Sequence, residues 1–301
     1  VFPVPDTRRP WHQFVVEFGL VTGVLVAVAL WYRLCGAALA AVGGRSSLLV
    51  SGVGFAALFL AGLGAGTVAY ATARDIDAGV RLPSPSAWRA VVAAAVVPPA
   101  FVALTKLVGV ATGVPYNTLT KTAIAADPPL GPVALLAGLT LSIRVPALVL
   151  VCQVLVQRGF ERSGGDAWAV VATTLVAAFA LVGTAGSVTP APDAGKLAGL
   201  ALVAGSLLCW DYASRSERRT VRRLGPVPFT LVLVLLGLAA LVSVRSFAGA
   251  CFAFAQVGTF AVAAEAFRRT DSLLPPALAY ASLVVANRVV VVGFEAGLQN
   301  W

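Results

Sequence analysis

Charged side chains in an otherwise apolar chain are the places to look for chemistry. A charged group in hydrocarbon costs roughly 2.5–3.5 kcal/mol on insertion scales, so it normally faces protein or water. Eight such residues lie within or beside apolar stretches: Glu17, Lys106, Arg144, Arg158, Arg245, Glu265, Arg288 and Glu295. Several are near the ends of those stretches, where a long side chain can snorkel. Arg144 and Arg288 are deeper. Arg288 and Glu295 are seven residues apart, on one helical face but too distant for a direct i,i+4 pair. Arg144, Glu265, Arg288 and Glu295 are therefore the candidate intramembrane polar site, serving either as structural ion pairs or as a substrate or ion path. Histidine, the usual residue for metal or proton work near neutral pH, occurs once, as His12 beside the first apolar run. The four cysteines, Cys35, Cys152, Cys209 and Cys251, form no CxxC pair and read as small buried side chains. No HExxH, Walker A sequence or paired aspartates occur in a span. Ser142, Ser282, Thr173 and Thr174 would be nucleophiles only with a base beside them. Hydrogen bonding within their own helices is the commoner use.

The elements that must position these groups are membrane helices. The chain has 301 residues, is 59% hydrophobic and only 12% charged, with a mean hydropathy of +0.89. Soluble domains carry about 25% charged residues. Apolar runs recur along the whole length, and nothing between them is long enough for a soluble domain. The fold expected is all-α, a polytopic transmembrane helical bundle of about nine spans, with eight as the alternative. The spans are Phe14–Tyr32, Leu48–Ala71, Trp88–Val110, Leu130–Val156, Ala167–Gly186, Leu197–Tyr212, Phe229–Val244, Phe247–Phe267 and Pro275–Val292. Residues 1–301 form a single membrane domain in this reading. The segment Leu34–Val42 is too short to span and lengthens the first helix. Pro98-Pro99, Pro146 and Pro275-Pro276 are expected to break or begin helices. Asp271 and Ser272 are candidate N-caps for the last one.

The net charge of +9 does not point to nucleic acid, because the basic residues sit in short loops between apolar runs. Placing the N-terminus inside puts Arg8 and Arg9, Arg74 to Arg89, Arg158 and Arg162, Arg215 to Arg223, and Arg268 and Arg269 on one side. Arg33, Arg45, Lys121 and Lys196 fall on the other. That asymmetry is expected of a multi-pass plasma-membrane protein with a cytoplasmic N-terminus and an external C-terminus. The run Asp211–Arg223 is the densest in charge and reads as a topological anchor or an anionic-lipid contact. The first apolar run shows no small-residue cleavage site and is read as a helix, not a signal. Absent methionine, few lysines and abundant alanine and valine fit a GC-rich, prokaryotic coding bias.

Two segments carry a resemblance to a known family. Val151 to Phe160 reads VCQVLVQRGF and closes the fourth span. It is similar to the Glu-Glu-x-x-x-Arg motif of the CPBP (CAAX-protease-like, or Abi) intramembrane proteases, with Arg158 and Gly159 matching. The glutamate pair would fall on Gln153 and Val154. Phe260 to Asn287 resembles the family's last motif region, with Ser272, Leu273, Pro276, Leu278 and Ala279 matching. There the histidine position holds Tyr280 and the asparagine position Val284. The middle Phe-x-x-x-His motif is best placed at Val176 to Ala180, which puts Ala180 at its histidine. The resemblance covers residues 88–292 as a CPBP-like core, with 197–244 as a lengthened middle region.

The resemblance implies a scaffold whose relatives use a glutamate to activate water and histidines to hold a metal. This chain offers Gln153, Val154, Ala180, Tyr280 and Val284 at those places. Neither glutamine nor tyrosine is a carboxylate base or a usual zinc ligand. His12 lies outside the bundle by sequence. The expectation is a non-catalytic pseudoprotease without cofactor, binding a membrane segment, lipid or partner complex. The alternatives are an active divergent protease recruiting Glu265, Glu295 or Tyr280, in which case zinc or another divalent metal is expected, a transporter using Lys106, Arg144 and Arg288, and a structural membrane subunit. The partners expected are the lipid bilayer and a membrane protein, with no nucleic acid.

Overall fold

The structure, a computed structural model, describes residues 10–42, 48–122, 125, 127, 129–182, 188–244 and 246–297. Among them there is no β-strand. The helices are α1 (Pro10–Val42), α2 (Leu48–Arg74), α3 (Trp88–Thr112), α4 (Tyr116–Thr120), α5 (Leu130–Val149), α6 (Arg158–Gly164), α7 (Asp166–Leu181), α8 (Ala194–Ser214), α9 (Arg219–Leu224), α10 (Val227–Ser243), α11 (Phe247–Thr270) and α12 (Leu274–Phe294). A π-helical segment, Leu150–Gln157, joins α5 to α6. As expected, Leu34–Val42 prolongs the first helix.

Contacts sort the helix ends into two groups. At the arginine-rich end, Arg74 closing α2 pairs with Glu17 near the start of α1. Arg162 of α6 donates to the Arg74 carbonyl at 2.5 Å. Trp11 of α1 packs at a tilt against Trp210 near the end of α8, with ring centroids 4.7 Å apart. Phe14 meets Trp168 at the start of α7, 5.8 Å away. At the far end, Thr120, Val188 and Asn287 line one cavity, and Lys106 of α3 pairs with Glu295 after α12.

Eight helices are long and apolar enough to cross a membrane. The chain is an integral membrane protein by that measure. α7 has only 16 residues, about 24 Å at 1.5 Å per residue, yet it runs between the same two ends. Its start lies against Phe14. Its end carries the bridge from Val182 to Val188, which borders the far cavity. α7 is apolar but shorter than those eight helices. The fifth span, read through Gly186, ends in helix at Leu181, and 183–187 lie outside the described residues, as does Arg245.

The core is α3 against α11 and α12, with the π-segment touching α1, α2, α7 and α11. α8 packs on α1, and α10 packs chiefly on α8 at the periphery. Close packing relies on glycine beneath aromatic rings. A Cβ on Gly62 would stand 2.3 Å from the Trp31 ring, and one on Gly258 2.5 Å from Phe101. In hydrocarbon such contacts replace the missing hydrophobic drive between helices.

The prolines correct two expectations. Pro98 and Pro99 lie inside an unbroken α3. Pro98 deprives the Ala94 carbonyl of its amide, and Ser282 Oγ of α12 donates to that oxygen at 3.4 Å. A neighbouring helix thereby satisfies the freed backbone group. Pro146 lies within α5, and four residues later the hydrogen-bond ladder widens. The Arg158 amide donates to the Gln153 carbonyl, five residues back. Pro275-Pro276 does open α12, but the capping differs. Asp271 is the left-handed C-cap of α11, at φ +49°. Leu273 occupies the N-cap of α12, and Ser272 Oγ accepts from the Leu274 amide at 3.3 Å.

Candidate functional site

The structure separates the sequence candidates into three places. The first is the bundle interior at the π-segment. Gln153 is completely buried and Tyr280 is 1% exposed. The Tyr280 hydroxyl donates to Gln153 Oε1 at 3.4 Å, and the Cys152 thiol lies within reach of the same hydroxyl. Phe260 packs edge-on against the Tyr280 ring, 5.8 Å between centroids. Gln157 donates to the Ala264 carbonyl at 3.0 Å. Three buried polar atoms here, Gln153 Nε2, Gln157 Oε1 and Thr173 Oγ1, have no hydrogen-bond partner among the described residues. Unsatisfied buried groups cost about 1–3 kcal/mol each. A π-segment is rare and is often found at functional sites. Val154 and Ala180 are buried in the same core. Val284, one turn past Tyr280, borders the far cavity instead.

An amide, a phenol and a thiol can accept and donate hydrogen bonds, but they supply no carboxylate to activate water. Among the described residues no group of three or more His, Cys, Asp or Glu could hold a metal. The donor set does not fit the zinc site that a metalloprotease needs. His12 belongs to α1 and meets Asp211 of α8 at 3.0 Å, Nδ1 to Oδ2, at the bundle's arginine-rich end. It is therefore not outside the bundle, because α8 folds back onto the start of α1. The same Asp211 carboxylate accepts from Arg215 at 2.5 Å.

The second place is a strap at the arginine-rich end. Arg158 Nε donates to the Asp77 carbonyl at 3.0 Å and Nη1 to Glu161 at 2.7 Å. Its Nη2 pairs with Asp271, and its guanidinium lies 4.6 Å from the Phe267 ring centroid. Arg81 reaches the Asp271 backbone oxygen at 2.7 Å and also pairs with its carboxylate. The Leu273 amide donates to the Gly79 carbonyl at 3.1 Å. The 75–87 connection is thereby tied over the α11–α12 turn. The Gly79 amide bonds Asp77 Oδ1 at 2.8 Å. That bond, with Arg81 and Arg158 nearby, holds the Asp77 carboxyl below its ordinary range. Arg158 is thus a fastening, not a member of the buried polar group.

The third place is the far cavity of about 320 Å³, bordered by Arg144, Arg288, Lys121, Gln256 and Asn287. The four-residue polar site expected from sequence is only half assembled. Arg144 and Arg288 face one cavity. Glu265 instead sits at the arginine-rich end, bonded by Arg268 at 2.7 Å and Arg269 at 2.6 Å. Glu295 pairs with Lys106. Glu265 and Tyr280 do not converge, since one is part-exposed with two arginines and the other is sealed against Gln153.

Sequence reasoning missed Gln256 and the bond from the Tyr116 hydroxyl to Asn287 Oδ1. It also missed the Glu17–Arg74 pair, in which Arg74 donates to both carboxylate oxygens, 2.8 and 2.5 Å away. Glutamine and asparagine in apolar helices are the signal that points to such sites. No protein-family model, no curated protein and no solved structure matches the chain.

Proposed function

We propose that this integral membrane protein is a non-catalytic relative of the CPBP (CAAX-protease-like) intramembrane proteases, whose former catalytic region now serves binding. One observation carries the reading. The two segments that resemble the family meet at two levels, through pairs 113 and 127 residues apart in sequence. Arg158 pairs with Asp271 at the arginine-rich end, and Gln153 accepts from Tyr280 in the interior. The second contact joins the positions of a catalytic glutamate and a histidine, here an amide and a phenol. That pair retains hydrogen-bonding capacity without a base or a metal donor set. A membrane segment, a lipid or a partner membrane protein is the occupant in this reading. The arginine-rich end faces the cytoplasm, as the positive-inside rule requires, and the membrane is the plasma membrane of a prokaryote.

The test uses the full chain purified in detergent and reconstituted in vesicles. Metal content and cleavage of transmembrane peptide substrates are measured together. The expected result is no stoichiometric zinc and no cleavage that depends on Gln153. One zinc per chain, or cleavage abolished by Gln153→Ala, overturns the reading.

A further inference from the structure

We propose that the far cavity is a binding site for a phosphate oxyanion, and that Arg144 and Arg288 are its principal ligands. The inference goes beyond the pseudoprotease reading and rests on different residues. Arg144 is fourteen residues before Arg158, and Arg288 is fourteen residues past the start of α12. Both are therefore about 20 Å along their helices from the arginine-rich end, in the far half of a hydrocarbon core roughly 30 Å thick.

Two arginines at that depth normally bring a counter-charge. Here no carboxylate among the described residues pairs with either arginine. Between Lys121 and α5 the sequence holds one acid, Asp127, and it pairs with neither arginine among the described residues. Arg144 instead feels the charge of Arg288. Like charges that face one cavity without an acid are stabilised by a bound anion.

The neutral lining fits the same ligand. Gln256 is 1% exposed and borders the cavity, and its buried Oε1 has no hydrogen-bond partner among the described residues. The two ends of a side-chain amide are assigned by their partners, so the group can turn its Nε2 donor to an oxyanion. Asn287 has its Oδ1 occupied by the Tyr116 hydroxyl, so the atom it can still offer is the donor Nδ2. Lys121 adds a third cation to the lining and is held at φ +48°. Guanidinium forks match phosphate oxygens in pairs. A cavity of about 320 Å³ takes a headgroup and no more. Acyl chains would lie outside it, along exposed Val285 and Val289 of α12. The same chemistry could come from an anionic phospholipid of the far leaflet or from free phosphate.

The experiment places the full chain in phosphatidylcholine nanodiscs and follows its thermal unfolding midpoint. One arm adds phosphatidylglycerol in steps, and the other adds inorganic phosphate in water. A saturable upward shift is expected in at least one arm. Lipid alone producing it identifies the headgroup as the source, and phosphate producing it identifies a soluble anion. Arg144→Gln and Arg288→Gln should weaken that response at least about tenfold, the loss of one charge-assisted contact. Without ligand, neither variant should unfold earlier than the parent, because each removes like-charge repulsion. Arg222→Gln/Arg223→Gln in α9, at the opposite end, should leave the saturable response intact. No shift in either arm, an unchanged response in the Arg144 and Arg288 variants, or loss of the response in the α9 variant overturns the proposal.

Discussion

Glu17 and Arg74, 57 residues apart, form a two-pronged ion pair that locks α1 to α2 at the arginine-rich end. Glu17 is 5% exposed. The Tyr70 hydroxyl and the Arg162 guanidinium complete the cluster around Arg74. Removing one partner strands the other. Glu17→Ala is expected to lower stability by about 3–5 kcal/mol, the range for a broken buried pair. Detergent unfolding midpoints read the loss. A cost under about 1 kcal/mol would mean that water already screens the pair.

The strap makes a prediction with a pH sign. Gly79 and the nearby arginines hold the Asp77 carboxyl low. A depressed folded pKa means that the contribution is present above the unfolded value, near 3.9, and is lost as pH falls through the folded one. Asp77 is mostly exposed, so the contribution is small. The connection 75–87 should therefore exchange amide hydrogens faster, relative to the intrinsic rate, at pH 3 than at pH 6. Asp77→Asn should flatten that difference. Equal protection at both pH values in the parent protein would refute the assignment.

Gly62 predicts a packing cost. Its absent side chain makes room for the Trp31 ring, and that ring is pinned because Nε1 donates to the Phe59 carbonyl at 3.2 Å. Gly62→Ala forces the ring to move and the bond to break. The expected loss is about 1–3 kcal/mol. Gly64, with open space around it, is the control, and Gly64→Ala should cost nothing or stabilise the helix slightly.

How far these features were legible varies with the physics behind each. Hydrophobic runs of membrane length are a strong local signal, so the helices long enough to cross a membrane could be read directly. The Leu34–Val42 extension followed from the same run. Pro98-Pro99 misled because the partner for the freed carbonyl, Ser282, is 188 residues away. Asp271 looked like a cap for the following helix, but its carboxylate is engaged by Arg158 and Arg81. Arg144 and Arg288 were recognisable as deep charges. Their acidic companions were not, because Glu295 chose Lys106 and Glu265 chose its own i+3 and i+4 arginines.

Lys106 and Glu295 offer a test of that partnership. The Glu295 side chain is 1% exposed and that of Lys106 is 22% exposed. Lys106→Met should destabilise by about 3–5 kcal/mol, because a carboxylate is left in the interior. Glu295→Gln added to it should recover most of the loss by removing the stranded charge. A double-mutant cycle isolates the coupling. Additive costs would show that the two groups are independently solvated.

The Gln153–Tyr280 pair separates a binding role from a structural one. Its single bond is long, at 3.4 Å, and Gln153 Nε2 is left without a partner. A buried polar pair satisfied this poorly contributes little to stability, and replacing both members by apolar groups of similar shape is often neutral or stabilising. Gln153→Leu/Tyr280→Phe should therefore unfold at or above the parent midpoint. Tyr280→Phe alone should cost about 1 kcal/mol, since it leaves a second orphan on Gln153. A site kept for function carries such a stability deficit. If the double variant instead loses more than about 2 kcal/mol, the pair is a structural fastening, and the π-segment needs no ligand to explain it.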